Sequence, residues 1–147
     1  MKVSTRVEYG LVALTDIVIH SQKGKAVSSP EIAQRQNISH KYLEHILLLL
    51  RQAGFITAQK GLRGGYALAR PADQISMADV LNALDNNILA DMEPQSGEIS
   101  DLGNAINECF WNEINLRLNE YTENLKLSDF ADRCSGSLAD RWDLYVI

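Results

Sequence analysis

The sequence has few of the residues and runs that mark secreted, membrane-spanning or disulfide-rich proteins. Its 147 residues include two cysteines, Cys109 and Cys134. Two thiols are too few for a disulfide scaffold, which favours a reducing, cytoplasmic location. The longest apolar run, Ile46 to Leu50, has five residues, whereas a membrane-spanning helix needs about 20. The N-terminus also lacks the apolar core of a signal peptide, so we expect a cytoplasmic protein with no membrane partner.

Motifs of the common enzyme and metal-site classes are missing as well. The sequence contains no GxSxG, no phosphate-binding glycine loop and no HExxH. The three histidines all precede the two cysteines, and there is no CxxC pair, so a four-ligand zinc site is not expected. These absences favour a protein that is not an enzyme and holds no metal.

The net charge of −5 conceals two halves of opposite sign. Residues 1–70 carry a net charge of +6, from ten Lys or Arg and four acids, whereas residues 71–147 carry −11. A basic segment beside an acidic one is typical of proteins that contact nucleic acid. Segregation of charge without any partner gives the same numbers, so the residue pattern has to decide.

Three helices are predicted in the basic half, each from apolar residues at helical spacing behind a capping serine. Their predicted ranges are 4–20, 28–37 and 39–53. The expected buried residues are Val7, Leu11, Leu14 and Val18 in the first helix, Ile32 and Ala33 in the second, and Leu43, Ile46, Leu47 and Leu50 in the third. The short turn between the last two has the spacing of a helix-turn-helix, although an ordinary pair of antiparallel helices gives the same pattern.

A glycine-rich hairpin is predicted directly after the third helix. Residues 55–60 and 66–70 have strand propensity, and residues 61–65, Gly-Leu-Arg-Gly-Gly, have the length of a hairpin loop. A hairpin with a basic tip after a helix-turn-helix is the arrangement of a winged helix. We therefore predict a mainly α fold with a small β-hairpin wing, in which residues 1–85, closed by a helix that Ser76 caps, form a winged helix-turn-helix DNA-binding domain.

The acidic half is predicted to contain a loop and one long helix. Residues 86–103 have four acids, one proline and two glycines but no Lys or Arg, and are interpreted as a mobile acidic loop. A helix over about 104–125 is about 33 Å long, more than the small domain covers, so residues 104–147 are predicted to be a long dimerisation helix with a C-terminal segment. Packing onto the chain's own first helix is the alternative. The predicted dimer stripe is Ile106, Phe110, Ile114, Leu118, Tyr121 and Leu125.

Candidate DNA contacts lie on the third helix, on the wing and near the helix starts. The N-terminal end of a recognition helix enters the major groove, where side chains reach base edges. Glu44 repels phosphate, so it is expected either to accept a hydrogen bond from cytosine or to pair with a nearby Lys or Arg. The candidates are Ser39, His40, Lys41, Tyr42, Glu44 and His45 on the third helix, Lys60 and Arg63 on the wing, and Lys2, Arg6 and Ser28 elsewhere. A solvated surface is the alternative for each.

These motifs resemble the Rrf-two family of bacterial winged-helix repressors. The matching segments are residues 1–11, 32–44, 50–54 and the wing string 60–68, Lys-Gly-Leu-Arg-Gly-Gly-Tyr-Ala-Leu. The resemblance covers about residues 1–85 and continues beyond them in architecture only. It implies a homodimer crossed through the long helix, which binds a pseudo-palindromic operator in double-stranded DNA with a recognition helix and a wing from each subunit.

The sensor of the family is where the sequence departs from the pattern. Cluster-binding members place three cysteines in the loop and the start of the long helix, whereas residues 86–108 contain none here. The chain therefore resembles the cluster-free, CymR-type members. Glu8 leaves an iron–sulfur cluster as an alternative, because some members use an acidic residue there as a ligand. Cys109, beside the apolar stripe, is expected to be buried and inert, and Cys134, next to Arg133, to be more exposed.

The predicted function is sequence-specific DNA binding by a transcriptional regulator, most simply a repressor. Its signal is expected to come from an effector protein, a metabolite, a cluster or oxidation of Cys134. A function of a different class, a protein-interaction adaptor, remains open, since the same basic face would also attract an acidic protein partner.

Overall fold

The chain folds into a helical domain with a two-stranded wing, followed by a long interrupted helix and a final helix. This computed structural model describes residues 2–94 and 97–145, the last three without their side chains. The elements are α1 (Thr5–His20), α2 (Ser29–Gln36), α3 (His40–Gln52), β1 (Ile56–Gln59), β2 (Gly65–Leu68), α4 (Met77–Leu84), α5 (Asp101–Ile106), a π-helical turn (Asn107–Trp111), α6 (Asn112–Asn124) and α7 (Leu127–Tyr145). The predicted mainly α fold with a β-hairpin wing is confirmed.

Serine caps set the starts of the first three helices, as the sequence predicts. The Oγ atoms of Ser4 and Ser39 each accept a hydrogen bond from the backbone N–H three residues on, at 3.2 and 3.3 Å. Ser28 and Glu31 form a reciprocal capping box at the start of α2. Asn37 then adopts the left-handed conformation, with φ of 54°, which an asparagine tolerates. This residue makes the sharp turn from α2 into α3.

Side chains from α1, α3, α4 and β1 form the centre of one hydrophobic core. Its fully buried members include Val7, Leu14, Ile17, Ile32, Leu43, Ile46, Leu47, Leu50, Ile56, Leu84 and Leu127. The predicted stripe of α3 is confirmed. The stripe of α1 is only partly right, since Leu11 and Val18 are half-buried while Ala13 and Ile17 are buried. Because α1 is contacted by α2, α3, α4 and α7, it buries more than one face.

A carboxylate, Asp16, lies inside this core, where apolar periodicity gives no sign of it. Its side chain has no exposed surface. Arg35 of α2 donates one hydrogen bond to each carboxylate oxygen, at 3.0 and 2.8 Å, and Gln36 donates a third at 2.7 Å. The hydrogen bonds to Asp16 raise the pKa of Arg35 above its ordinary value. A buried charge that is fully paired in this way fixes α2 against α1.

The long helix begins earlier than predicted and is interrupted once. It starts at Asp101, behind the capping Ser100, rather than near residue 104. A π-helical turn, which holds one inserted residue, joins α5 to α6. The three segments together extend from Asp101 to Asn124 and are about 36 Å long. Within the ranges described, no helix is both long and apolar enough to cross a membrane.

The loop before this helix is irregular, as predicted, but it is attached to the helix at one point. The backbone N–H of Met92 donates to the side-chain oxygen of Asn115 at 2.9 Å, and the Asn115 amide donates back to the Met92 carbonyl at 3.2 Å. The Asn115 side chain thus bonds both the N–H and the C=O of Met92, as a neighbouring β-strand would. The acidic loop is therefore held against the first turns of α6.

The last helix, α7, was predicted only as a C-terminal segment without a defined structure. The turn between α6 and α7 is paired with the start of α4, because Met77 donates to the Leu125 carbonyl and Leu127 donates to the Ile75 carbonyl, both at 2.8 Å. Leu125 is 9 % exposed and packs in the chain's own core. Its assignment to the dimer stripe is therefore wrong, because that side chain is already covered within the chain.

Replacing Arg35 with alanine is expected to lower the free energy of unfolding by about 2 to 3 kcal/mol, because the buried Asp16 carboxylate loses its charged partner. The matched control is Arg117→Ala, which removes an exposed arginine that donates to Glu113 at 2.8 Å. The control is expected to lose at most about 0.5 kcal/mol. Chemical denaturation at one protein concentration measures both, and equal losses would contradict the role assigned to Asp16.

Candidate nucleic-acid interface

The recognition helix and the wing share one continuous surface. The exposed side of α3, opposite its buried stripe, faces β2 across an open cleft with a volume of about 410 Å³. The residues that line it are Lys41, Glu44, His45, Leu47, Leu48, Arg51 and Tyr66. Of these, Leu47 belongs to the buried stripe of α3 and Tyr66 to β2. The other five are three or four residues apart along α3, which places them on one exposed helical face. Two cations therefore lie towards opposite ends of a face with a carboxylate and an imidazole between them.

Glu44 has a partner on its own helix, though not the one predicted. Its Oε1 lies 3.5 Å from Nε2 of His40, one turn earlier, instead of beside a Lys or Arg. The same His40 nitrogen is 3.3 Å from the hydroxyl oxygen of Ser29, at the start of α2. His40 therefore links the two helices of the helix-turn-helix and holds the Glu44 side chain at the N-terminal end of α3. The pair with Glu44 is ionic only while the imidazole is protonated.

The wing is attached to the helix-turn-helix through its second strand. Strands β1 and β2 pair in antiparallel register. Val27, just before α2, exchanges two backbone hydrogen bonds with Tyr66 of β2, at 2.8 and 2.7 Å. Gly65 has φ of +151°, and a Cβ atom at this position would overlap the Val27 carbonyl group. A glycine is therefore required for the wing to approach the loop before α2 so closely.

The tip of the wing is a hydrogen-bonded turn that carries exposed cations. The Gly64 N–H donates to the Gly61 carbonyl at 3.0 Å, which closes a four-residue turn with Arg63 at one of its two corners. Lys60 and Arg63 are both exposed, as the sequence predicts for residues that contact DNA.

The predicted contacts outside α3 and the wing differ in how free they are. Lys2 is exposed before α1. Arg6 is exposed too, but its Nε donates to the Leu84 carbonyl of α4 at 2.6 Å, so part of the guanidinium is engaged within the chain. Ser28 is half-buried and serves as the cap of α2. Within the described part of the chain, the Lys2 ammonium group makes no hydrogen bond or ion pair, in contrast to the Arg6 and Ser28 side chains.

Two predicted contacts at the start of α3 also have structural roles. The Ser39 hydroxyl caps α3, which leaves it exposed at the N-terminus of that helix. Tyr42 is half-buried, and its ring meets that of Tyr9 edge to face, with centroids 5.6 Å apart. This aromatic contact stabilises the orientation of α3 relative to α1.

Four residues that line the cleft, Leu47, Leu48, Arg51 and Tyr66, were not among the predicted contacts, and Leu47 belongs to the buried stripe of α3. Leu48 and Arg51 continue the exposed face of α3 from Glu44 and His45. Helical periodicity is therefore the sequence feature that indicates their place in the cleft. Tyr66 sits in β2, and its position opposite α3 depends on the bridge to Val27. No local pattern in the sequence indicates that bridge.

The apolar face of α5 and α6 is largely exposed in the part of the chain that the structure describes. Ile106, Phe110 and Tyr121 are 44, 52 and 59 % exposed, and Ile114 and Leu118 are half-buried. Cys109, in the π-helical turn, is exposed and Cys134 is half-buried, so the predicted order of the two thiols is wrong. The reason is that this part of the long helix projects beyond the core, and among the described elements none covers Cys109.

The residues present do not fit an iron–sulfur cluster held within one chain. Such clusters are held chiefly by four cysteine thiolates, and this chain has two, on different helices. Over the ranges that the structure describes, no three His, Cys, Asp or Glu side chains come together in a metal-binding group. Glu8 and Cys109, the residues that kept this alternative open, therefore lack the further ligands that a cluster needs.

A helix-turn-helix with a wing bound to its side and cations on both is the arrangement of a winged-helix DNA-binding regulator. Comparison with known proteins gives the family. The model of the Rrf2 family, described as iron-dependent transcriptional regulators, matches residues 3–133. The chain belongs to this family, so the predicted family and the predicted function, DNA-binding transcriptional regulation, are confirmed.

Individual relatives and solved structures agree with this assignment. The transcriptional regulator IscR of Cereibacter sphaeroides is 33 % identical over 133 residues, which cover 88 % of this chain and 86 % of IscR. The protein rrf2 of Nitratidesulfovibrio vulgaris is 48 % identical over 85 residues, 58 % of this chain and 56 % of that protein. The structure of CymR, the global cysteine regulator of B. subtilis, matches with a TM-score of 0.79 at 28 % identity, over 90 % of this chain and 98 % of that one.

The substitution Gly65→Ala is expected to separate the wing from the loop before α2, because the new Cβ atom overlaps the Val27 carbonyl. Hydrogen exchange at the Val27 and Tyr66 amides, which form the bridge, should accelerate about tenfold or more while the amides of α1 stay protected. As a control, Gly136→Ala adds a Cβ atom in open space and should change neither amide. Unaltered exchange in the Gly65 variant would show that the bridge does not hold the wing.

Proposed function

We propose that the chain is a repressor that acts as a homodimer on a pseudo-palindromic operator in the cytoplasm. In each subunit α3 enters the major groove of double-stranded DNA and the wing follows the adjacent minor groove. The observation that carries this proposal is the cleft itself, in which the exposed face of the recognition helix and the second strand of the wing line a single surface.

The spacing of charges along α3 supports this orientation. Lys41 and Arg51 are ten residues apart, which is about 15 Å along a helix axis. The major groove is about 12 Å wide, so the two cations match the phosphates on its two sides. Glu44 and His45 lie between them and face the bases. Glu44 suits a hydrogen bond from cytosine N4, and His45 suits either a donor or an acceptor on a base edge.

Phosphate contacts are assigned to the groups with free donors around this face. Ser39 and Tyr42 at the start of α3, Lys2 before α1, and Lys60 and Arg63 on the wing have side chains that suit backbone contacts. His40, Arg6 and Ser28 have partners within the chain, and their contribution is mainly to hold the elements that carry the other contacts. The signal that controls the regulator is proposed to be an effector protein, a metabolite or oxidation of the half-buried Cys134.

The dimer is proposed on the uncovered face of the long helix. A symmetric dimer uses the same patch on both copies, and Ile106, Phe110, Ile114, Leu118 and Tyr121 supply a self-complementary apolar strip. Burying this strip removes exposed Phe and Tyr side chains from water, which is the kind of residue that dominates protein interfaces.

Replacing Arg63 or Lys41 with alanine should reduce the slope of log affinity against log salt by about one unit per subunit, because each loses one phosphate contact. The probe is a duplex of about 30 base pairs, enriched by the wild-type chain from a random-sequence pool, with room for two half-sites. Fluorescence anisotropy at several salt concentrations gives the slope. Arg133→Ala, at an exposed position on α7, is the control and should leave it unchanged.

An unchanged slope in both the Arg63 and the Lys41 variants would contradict the proposed orientation on DNA. Binding of an acidic protein in place of DNA by the wild-type chain would favour the adaptor function instead.

The substitution Phe110→Asp is expected to convert the dimer into a monomer, because a carboxylate buried in the apolar strip has no partner. The control is Leu62→Asp, which introduces the same charge at an exposed leucine on the wing. Analytical ultracentrifugation should show the wild-type mass for the control and half of it for the Phe110 variant. A Phe110 variant that sediments like the wild-type chain would place the interface elsewhere.

A further inference from the structure

The wing tip presents a leucine that is fully exposed in the described structure. Leu62 has a relative exposure of 108 %, higher than any other exposed large apolar side chain within the described ranges. Its neighbours at the tip are the cations Lys60 and Arg63 and the glycines at positions 61, 64 and 65. An apolar side chain at this place has no role in the stability of the fold.

The geometry of the tip holds this side chain outward. Leu62 and Arg63 occupy the two corners of the turn that the Gly64–Gly61 hydrogen bond closes at 3.0 Å. Corner positions of such turns favour Gly, Pro, Asn, Asp and Ser, so a leucine is an unusual choice. Close to the turn, two residues after Gly64, the double hydrogen bond between Val27 and Tyr66 anchors β2. The side chain is thus presented at the end of an anchored hairpin.

We propose that Leu62 is an apolar wedge that enters the minor groove of the operator beside Arg63. This inference rests on the proposed function, since it places the wing in that groove. Proteins that bind the minor groove commonly insert Leu, Ile, Met, Phe or Pro against a base step, while neighbouring cations contact the narrow, negative groove. The wing tip has both parts, a leucine at one corner of the turn and an arginine at the other.

A wedge selects DNA differently from a cation. Inserting an apolar group partly unstacks one base step, and the cost is lowest at flexible pyrimidine–purine steps such as TA and CA. Leu62 is therefore assigned a specificity role: it favours operators with such a step under each wing. Arg63, in contrast, contributes affinity through charge and responds to salt.

The experiment compares Leu62→Ala, Leu62→Met and Arg63→Ala on the duplex of about 30 base pairs that the wild-type chain enriches from a random-sequence pool. Leu62→Ala should weaken binding about tenfold per subunit, the effect of losing one specific base contact under each wing, without changing the salt slope. Leu62→Met, which keeps an apolar side chain of similar volume, should retain most of the affinity. Arg63→Ala should lower the slope but keep the preference for the pyrimidine–purine step.

A second enrichment, carried out with the Leu62→Ala chain, reads the sequence preference directly. The flexible step under the wings should disappear from its selected duplexes and remain in those of the wild-type chain. Equal affinity of the wild-type and Leu62→Ala chains, together with the same selected step, would overturn the wedge while leaving the regulator function intact. A wild-type chain that enriches no duplex at all would overturn both, so the two failures are distinguishable.

Discussion

The buried pair between Asp16 and Arg35 is the constraint on which the DNA-binding surface depends. It joins α1, the central helix of the core, to α2, the first helix of the helix-turn-helix. From α2 the left-handed Asn37 turns the chain into α3, and the loop before α2 carries the wing through Val27. The orientations of the recognition helix and of the wing therefore both depend on the buried Asp16 carboxylate. Its cost of desolvation is offset by hydrogen bonds from Arg35 and Gln36.

The chain separates its two tasks by charge and by burial. The first half is basic, supplies most of the hydrophobic core and carries exposed cations on α3 and the wing. The second half is acidic and ends in two helices, and the apolar face of α5 and α6 remains open to water. A net charge of −5 therefore describes neither half. The acidic part keeps the long helix away from phosphate, so the DNA is directed to the recognition helix and the wing.

The sequence predicted those parts of the fold that are determined by residues close together in the chain. Serine caps, the asparagine turn and the glycine-rich hairpin each depend on a few neighbouring residues. The helices and strands that they bound were therefore predicted to within a few positions. The contacts of Asp16, Tyr66 and Leu125 were not predicted, because they come from residues 19 or more positions away. Cys109 was predicted to be buried because it follows an apolar period, but it is exposed in the described part of the chain. In the site, the face of α3 was predictable and the cleft was not.

The hydrogen bonds between Val27 and Tyr66 have a consequence for how such a regulator is switched. Because the wing is bonded to the segment that leads into α2, and α2 is bonded to α1, recognition helix and wing form one rigid unit. In the proposed complex, neither can therefore leave its groove while the other stays. In the proposed dimer, the distance and the angle between the two subunits are what can still vary. A signal that changes either one would then weaken binding, because the two units would no longer match the helical repeat of DNA.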